Sequence, residues 1–204
     1  MPNPFRYRSS RYVDPRPWAP LTDAEWDALA PHLTRAEGAP GRPLAGGARA
    51  RLDAVFRVVS QGLYWTQARH AGVSAEAVSR QFRRWAHQGL FARLLRIVAK
   101  GRRAAVPAPL RAMEHWICAA HRRSVRAVGV YAIALARRLG MLSALPGPPW
   151  LLPDPDLSGL VMQEVSARLV PGSGRTRLWE WRALRRILRV ARGRRRIPRS
   201  LVPA

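Results

Sequence analysis

Seven side chains in the first half of the chain have the types and spacing for recognising a polyanion. Arg69 precedes a Gly72-Val73-Ser74 turn, and Glu76, Ser79, Arg80, Arg83, Arg84 and His87 follow it. Guanidinium groups donate to phosphate oxygens and to the paired acceptors of guanine, and a carboxylate accepts from the amino group of cytosine. If residues 75–87 are helical at about 100° per residue, Val78, Phe82 and Trp85 share one apolar stripe. Glu76, Arg80, Arg83, Arg84 and His87 then lie on the opposite face. Ser74 is a good N-cap because its hydroxyl can accept from first-turn amides, and Glu76 suits the positive helix end. A short helix carrying Arg69, a glycine turn and an arginine-faced helix make the layout of a helix-turn-helix. In that layout Glu76, Ser79 and Arg80 lie toward the end that enters the major groove, while Arg83, Arg84, His87 and Arg69 suit phosphate. The competing reading is a solvated face with Glu76 and Arg80 paired at i, i+4, worth only about 0.3–0.5 kcal/mol.

Composition points the same way. The chain has 204 residues, a formal charge of +24 and a pI near 12.0, which implies an anionic partner: DNA, RNA or a lipid surface. Lys100 is the only lysine, so a GC-rich coding bias contributes to the arginine excess. That bias does not account for acidic residues numbering only 12. Cys118 is the only cysteine, which precludes an intrachain disulfide and fits a reducing compartment. No secretory pattern opens the chain, and its most apolar run, Val128 to Ala136, is far short of the ~20 residues that span a bilayer. A cytoplasmic, nucleoid-associated protein is expected, with membrane association disfavoured.

The elements that must position the seven side chains are helical. Residues 1–20 mix Pro, Arg and aromatics and are expected to be an extended basic arm, either solvated or tracking phosphate through Arg6, Arg8 and Arg11. In 21–33, Thr22 and Glu25 make a capping box, Leu21 a staple, and Trp26, Leu29 and Leu33 an apolar face; its acidic residues make it scaffold. A Gly/Pro loop over 34–47 leads to a helix at about 48–61, marked by Leu52, Val55, Phe56 and Val59 and stopped by Gly62. Leu90, Phe91, Leu94, Leu95 and Val98 give a further apolar face, so 21–100 is expected to form one small helical domain.

The order of LTDAEW, GRP, LDAVFRVVSQGLYW and VSRQFRRWAHQGLFARLL over residues 20–98 resembles the N-terminal domain of bacterial insertion-element transposases. The resemblance implies binding of double-stranded DNA at the ends of a mobile element. One stretch departs from it: ARHAGVSAEAV stands where the family has a Pro-containing loop, and is closer to an ordinary helix-turn-helix. The family's catalytic domain, an RNase-H-like fold with three carboxylates holding two metal ions, is implied to follow. Residues 101–204 have no alternating strand pattern, and their acids are only Glu114, Asp154, Asp156, Glu164 and Glu180. The expectation is a non-enzymatic binding protein with no cofactor or metal, working with a separately encoded catalytic subunit. Rivals are a helical interaction protein carrying a relic domain and a basic membrane-surface or RNA binder.

The second half is also expected to be helical, making the chain all-α. Leu110, Met113, Trp116, Ile117 and Ala120 form one face, Val125 to Leu139 a second helix closed by Gly140, and 157–169 a third started by Asp156. Residues 101–170 form this helical region, and 171–204 a flexible break followed by a basic amphipathic helix with Trp179 and Trp181. That helix could lie on phosphate, on an anionic membrane or on a protein partner; nucleic acid is favoured because the same chain carries the helix-turn-helix pattern. His115, Cys118 and His121 recur every three residues, spreading over about 120° of a helix. Three candidate ligands without a fourth favour a core cysteine flanked by two partly exposed histidines over a zinc site.

Overall fold

The computed structural model describes residues 10–33, 47–69, 72–100, 106–170 and 177–193. Among these the chain is all-α, with helices α1 (Asp23–Leu33), α2 (Gly47–Ser60), α3 (Ala75–His87), α4 (Leu90–Val98), α5 (Ala108–Ala112), α6 (Glu114–Val128), α7 (Val130–Arg138), α8 (Pro155–Leu169) and α9 (Leu178–Ala191). No described helix is long and apolar enough to cross a membrane. The chain divides into two compact units, one ending at Leu145 and one running from Pro146 to Pro203.

In the first unit the apolar stripes read from periodicity meet around α6. Leu52, Val55, Phe56 and Val59 of α2 are buried, as are Leu90, Phe91, Leu94, Leu95 and Val98 of α4. Both helices, with α3 and α7, pack on α6, whose Trp116, Ile117 and Ala120 are fully buried. The Phe56 and Trp116 rings stand 5.7 Å apart. Helices α5 to α7 therefore complete the core of the transposase-like segment, and the chain does not divide near residue 100. A helix such as α6, apolar on several sides, must be covered on several sides. The α6–α7 junction is also displaced from the expected start at Val125: α6 continues to Val128 and breaks at Gly129.

Residues 10–20 are extended, as expected, but they are bound rather than free. Arg11 exchanges backbone hydrogen bonds with Gly140 and Leu142 (2.9 and 3.0 Å), gives its side chain to the Val98 carbonyl (3.1 Å), and pairs with the buried Glu114. Arg16 donates to Glu25 Oε1 at 2.6 Å and lies 4.0 Å over the Trp116 ring, whose Nε1 donates to the Arg16 carbonyl at 3.1 Å. Arg11 is thus a structural cation and not a phosphate contact. Arg6 and Arg8 fall outside the described residues. The expected capping box forms, with Thr22 N donating to Glu25 Oε2 (3.0 Å) and Glu25 N to Thr22 Oγ1 (3.3 Å).

In the second unit, α8 and α9 pack against each other as a hairpin. Asp154, rather than Asp156, caps α8, its Oδ1 accepting from Leu157 N at 3.0 Å. The end of α9 closes on the segment before α8: Asp154 N donates to the Ala191 carbonyl at 2.7 Å. A β-carbon at Gly193 would stand 2.6 Å from the Leu152 carbonyl carbon, so only glycine allows this approach. The expected break at 171–176 lies outside the described residues.

Candidate nucleic-acid interface

Helix α3 is set by local signals at both ends. Gly72 adopts φ 76°, which Gly reaches without a Cβ penalty, and Ser74 then accepts from Ala77 N at 3.3 Å. At the far end Gly89, at φ 73°, turns the chain directly into α4. Between these points Val78, Phe82 and Trp85 are buried against the bundle, with Phe82 4.7 Å from Trp65 and 5.0 Å from Phe91. Arg123 of α6 fastens the approach to α3 from the other side, donating to the Leu63 carbonyl at 3.2 Å and lying 5.5 Å from the Trp65 ring. An apolar face held this firmly fixes the direction of the opposite face.

That opposite face is exposed. Glu76, Arg80, Arg83, Arg84 and His87 all point to solvent, and no ion pair joins Glu76 to Arg80. Glu76, Ser79, Arg80 and Arg83 line one cleft of about 340 Å³ together with Trp65, Thr66 and Ala75. Arg84 and His87 lie further along the helix, outside that cleft. The arrangement offers a carboxylate acceptor and two guanidiniums above an aromatic and a hydroxyl, a set able to meet polar edges and phosphate together.

Two of the seven predicted positions differ from expectation. Ser79 is only 8% exposed, and its Oγ accepts from Arg83 Nη2 at 3.3 Å. It lies at the border of the apolar stripe, about 100° from Val78, so the packed face covers most of it, and its hydroxyl is engaged by Arg83 at the edge of the cleft. Arg69 is exposed but not helical: the segment before the turn has a single 3-10 turn, Trp65–Gln67, and then irregular backbone. Its amide groups are used locally, with Tyr64 N donating to Gln67 Oε1 at 2.9 Å and Gln67 N to the Tyr64 carbonyl at 2.9 Å. The helix before α3 is therefore α2, joined to it by 14 residues rather than by the 3–4-residue turn of a compact helix-turn-helix. Trp65, Thr66 and Ala75 are the lining residues outside the predicted set; no helical period reaches Trp65 or Thr66, and Ala75 carries no polar group to single it out.

In the His115/Cys118/His121 series, Cys118 and His121 belong to the core and His115 is half-buried, as expected. Cys118 is buried, and burial, helped by the nearby Glu114 carboxylate, pushes its thiol up to about 12. His121 is not partly exposed as expected but buried, with Nε2 3.0 Å from the Ala132 carbonyl; α7 covers it. Burial lowers its basicity, against the opposing effect of that hydrogen bond. Among the described residues no three His, Cys, Asp or Glu side chains come together as a metal-ligand group.

The fold and this face define an all-α protein whose N-terminal unit mounts an exposed arginine-rich helix on a packed bundle. Residues 21–95 match the family model described as "Putative transposase of IS4/5 family (DUF4096)", and this N-terminal region is accordingly transposase-related. The match takes in α1 to α4 up to Leu95, including the whole of α3. No curated protein and no solved structure matches the chain.

Proposed function

We propose that the chain binds double-stranded DNA through α3, in the manner of the element-end-binding part of an insertion-element transposase. One observation carries this reading: Glu76, Arg80, Arg83, Arg84 and His87 form an exposed face on a helix whose other face is locked into the core. Arg80 is the base-reading residue, suited to bidentate donation to guanine, and Glu76 suits the amino group of cytosine. Arg83, Arg84 and His87 contact phosphate, and Arg69 does so from the irregular segment before α3. In the cell the chain works in the cytoplasm on nucleoid DNA, with a separately encoded catalytic subunit as partner.

Strand cleavage is not part of this proposal. Four of the five described carboxylates of the second half have structural occupations: Glu114 pairs with Arg11, Asp154 caps α8, Glu164 pairs with Arg168, and Glu180 accepts from Arg177 N at 2.7 Å; the fifth, Asp156, stands in the first turn of α8. The test is selection of a bound sequence from a random duplex library, followed by titration of that sequence with wild type and Arg80→Ala. Loss of a bidentate base contact lowers affinity for the selected duplex about 5- to 150-fold, with a much smaller change on unrelated duplex. Equal affinity for every duplex, unchanged by Arg80→Ala, would leave only bulk charge and sink the proposal.

A further inference from the structure

Helix α9 presents a second exposed surface, built differently from α3. At about 100° per residue its side chains divide into three arcs. Trp181, Leu184, Leu188 and Ala191 occupy the first and are half-buried or buried, and α8 is the helix packed on α9. Arg182, Arg185, Arg186, Arg189 and Arg192 occupy another, all exposed, with no carboxylate paired to any of them among the described residues. Between these arcs lies an apolar strip that faces solvent: Trp179 is 62% exposed, Ile187 41% and Val190 70%, with Ala183 among them.

The strip is hollow. Trp179, Arg182, Ala183, Arg186 and Ile187 line a groove of about 470 Å³. Ala183 lies one turn from Trp179 on one side and one turn from Ile187 on the other, and its short side chain leaves the gap between them. Arg182 and Arg186 border the gap on the basic side. The groove therefore combines an exposed indole, an aliphatic wall and two guanidiniums within two helical turns.

We propose that this groove binds single-stranded nucleic acid, with an unpaired base stacked on Trp179 and its flanking phosphates on Arg182 and Arg186. An exposed aromatic beside a track of arginines is the pairing that single strands require, because every base offers a π-face and every linkage a negative charge. A base within a duplex is already stacked on both sides and cannot enter. An anionic membrane surface would use similar residue types, and the vesicle arm of the experiment separates it from a single strand. The site lies wholly on α9, so it stands or falls independently of duplex recognition by α3.

The experiment titrates the full chain against a fluorescently labelled single-stranded thymidine oligonucleotide, following anisotropy at several salt concentrations. Trp179→Ala is expected to weaken binding about 5- to 150-fold, the share of one stacked base, and Trp179→Phe to retain most of the affinity. Replacing Arg182 and Arg186 together by Gln should lower the slope of log affinity on log salt by about 1.4, two single-strand phosphate contacts. Circular dichroism checks that all three variants fold, which the exposure of Trp179, Arg182 and Arg186 favours. Oligonucleotide binding unchanged by Trp179→Ala overturns the proposal. So does a result in which Trp179→Ala leaves the oligonucleotide unaffected but abolishes binding to phosphatidylserine-containing vesicles.

Discussion

Helices α3 and α9 are both arginine-rich and amphipathic, yet they are mounted in different ways. The apolar face of α3 is covered by partners on several sides, since α2, α4 and α6 all pack on it, and its aromatic Phe82 is wedged between Trp65 and Phe91. In the second unit α9 has α8 as its packing helix, and an entire apolar strip stays in solvent. The difference teaches what an arginine helix can be used for. A face held rigidly in one direction can read a fixed pattern of donors and acceptors, since recognition geometry tolerates little error. A face with a hollow apolar strip suits a ligand that supplies its own flat surface. Under the two proposals above, arginine-rich helices serve two kinds of recognition, and packing decides between them.

The strongest way to break the comparison is to remove a buried ring from α6, the helix on which α3 packs. Trp116→Ala, at a fully buried position against Phe56 and Arg16, should cost about 3–5 kcal/mol in urea unfolding of the first unit. Ile187→Ala, in the exposed strip of α9, should stay within about 0.5 kcal/mol. Comparable losses for the two would show that α9 is as firmly held as α3.

A smaller effect is expected from acid. Burial alone would raise the Glu25 carboxyl, but the Thr22 amide and the Arg16 guanidinium outweigh it and hold the group below its ordinary value. A carboxyl depressed in the folded chain contributes stability that is fully present above its unfolded value, about 4.3, and is lost as pH falls through the folded value. His121, also depressed, contributes stability present above about 6.5 and lost on acidification, because it must be neutral where it is buried. Unfolding curves between pH 7 and 3 should therefore show the first unit weakening in two stages. Glu25→Gln should cost about 1–3 kcal/mol at pH 7 and remove the lower stage. A lower stage that persists in Glu25→Gln would assign it to another group.

The finest test concerns the start of α3. Ser74→Ala removes the cap on Ala77 N and should cost about 1 kcal/mol. Because Arg80 stands less than two turns away, duplex affinity should fall modestly while single-strand binding by α9 stays unchanged. A parallel loss in both would indicate that the two surfaces act as one.

How much was legible follows the range of each interaction. The Thr22–Glu25 box, the Ser74 cap, the Gly62 stop and the apolar stripes of α2, α3 and α4 all act within a few residues, so their spacing displays them. The exposed arc from Glu76 to His87 follows from the same period. Ser79 sits where the stripe ends, and the depth of packing, which no wheel contains, decides such a border. Arg69 was placed in a helix because its Ala-rich surroundings favour one; local hydrogen bonding around Tyr64 and Gln67 won instead.

By itself the sequence determined an all-α chain, a strongly cationic one, and a transposase-type N-terminal region with an arginine face on its third helix. Only the tertiary structure decided that α6 completes the core of that region, that Arg11 and Arg16 are fastened to Glu114 and Glu25 instead of facing outward, and that His121 is sealed beneath α7. The reason is physical. A helical period shows that a residue faces inward but not which distant face it will meet, and an arginine reads the same whether its partner is a buried carboxylate or solvent.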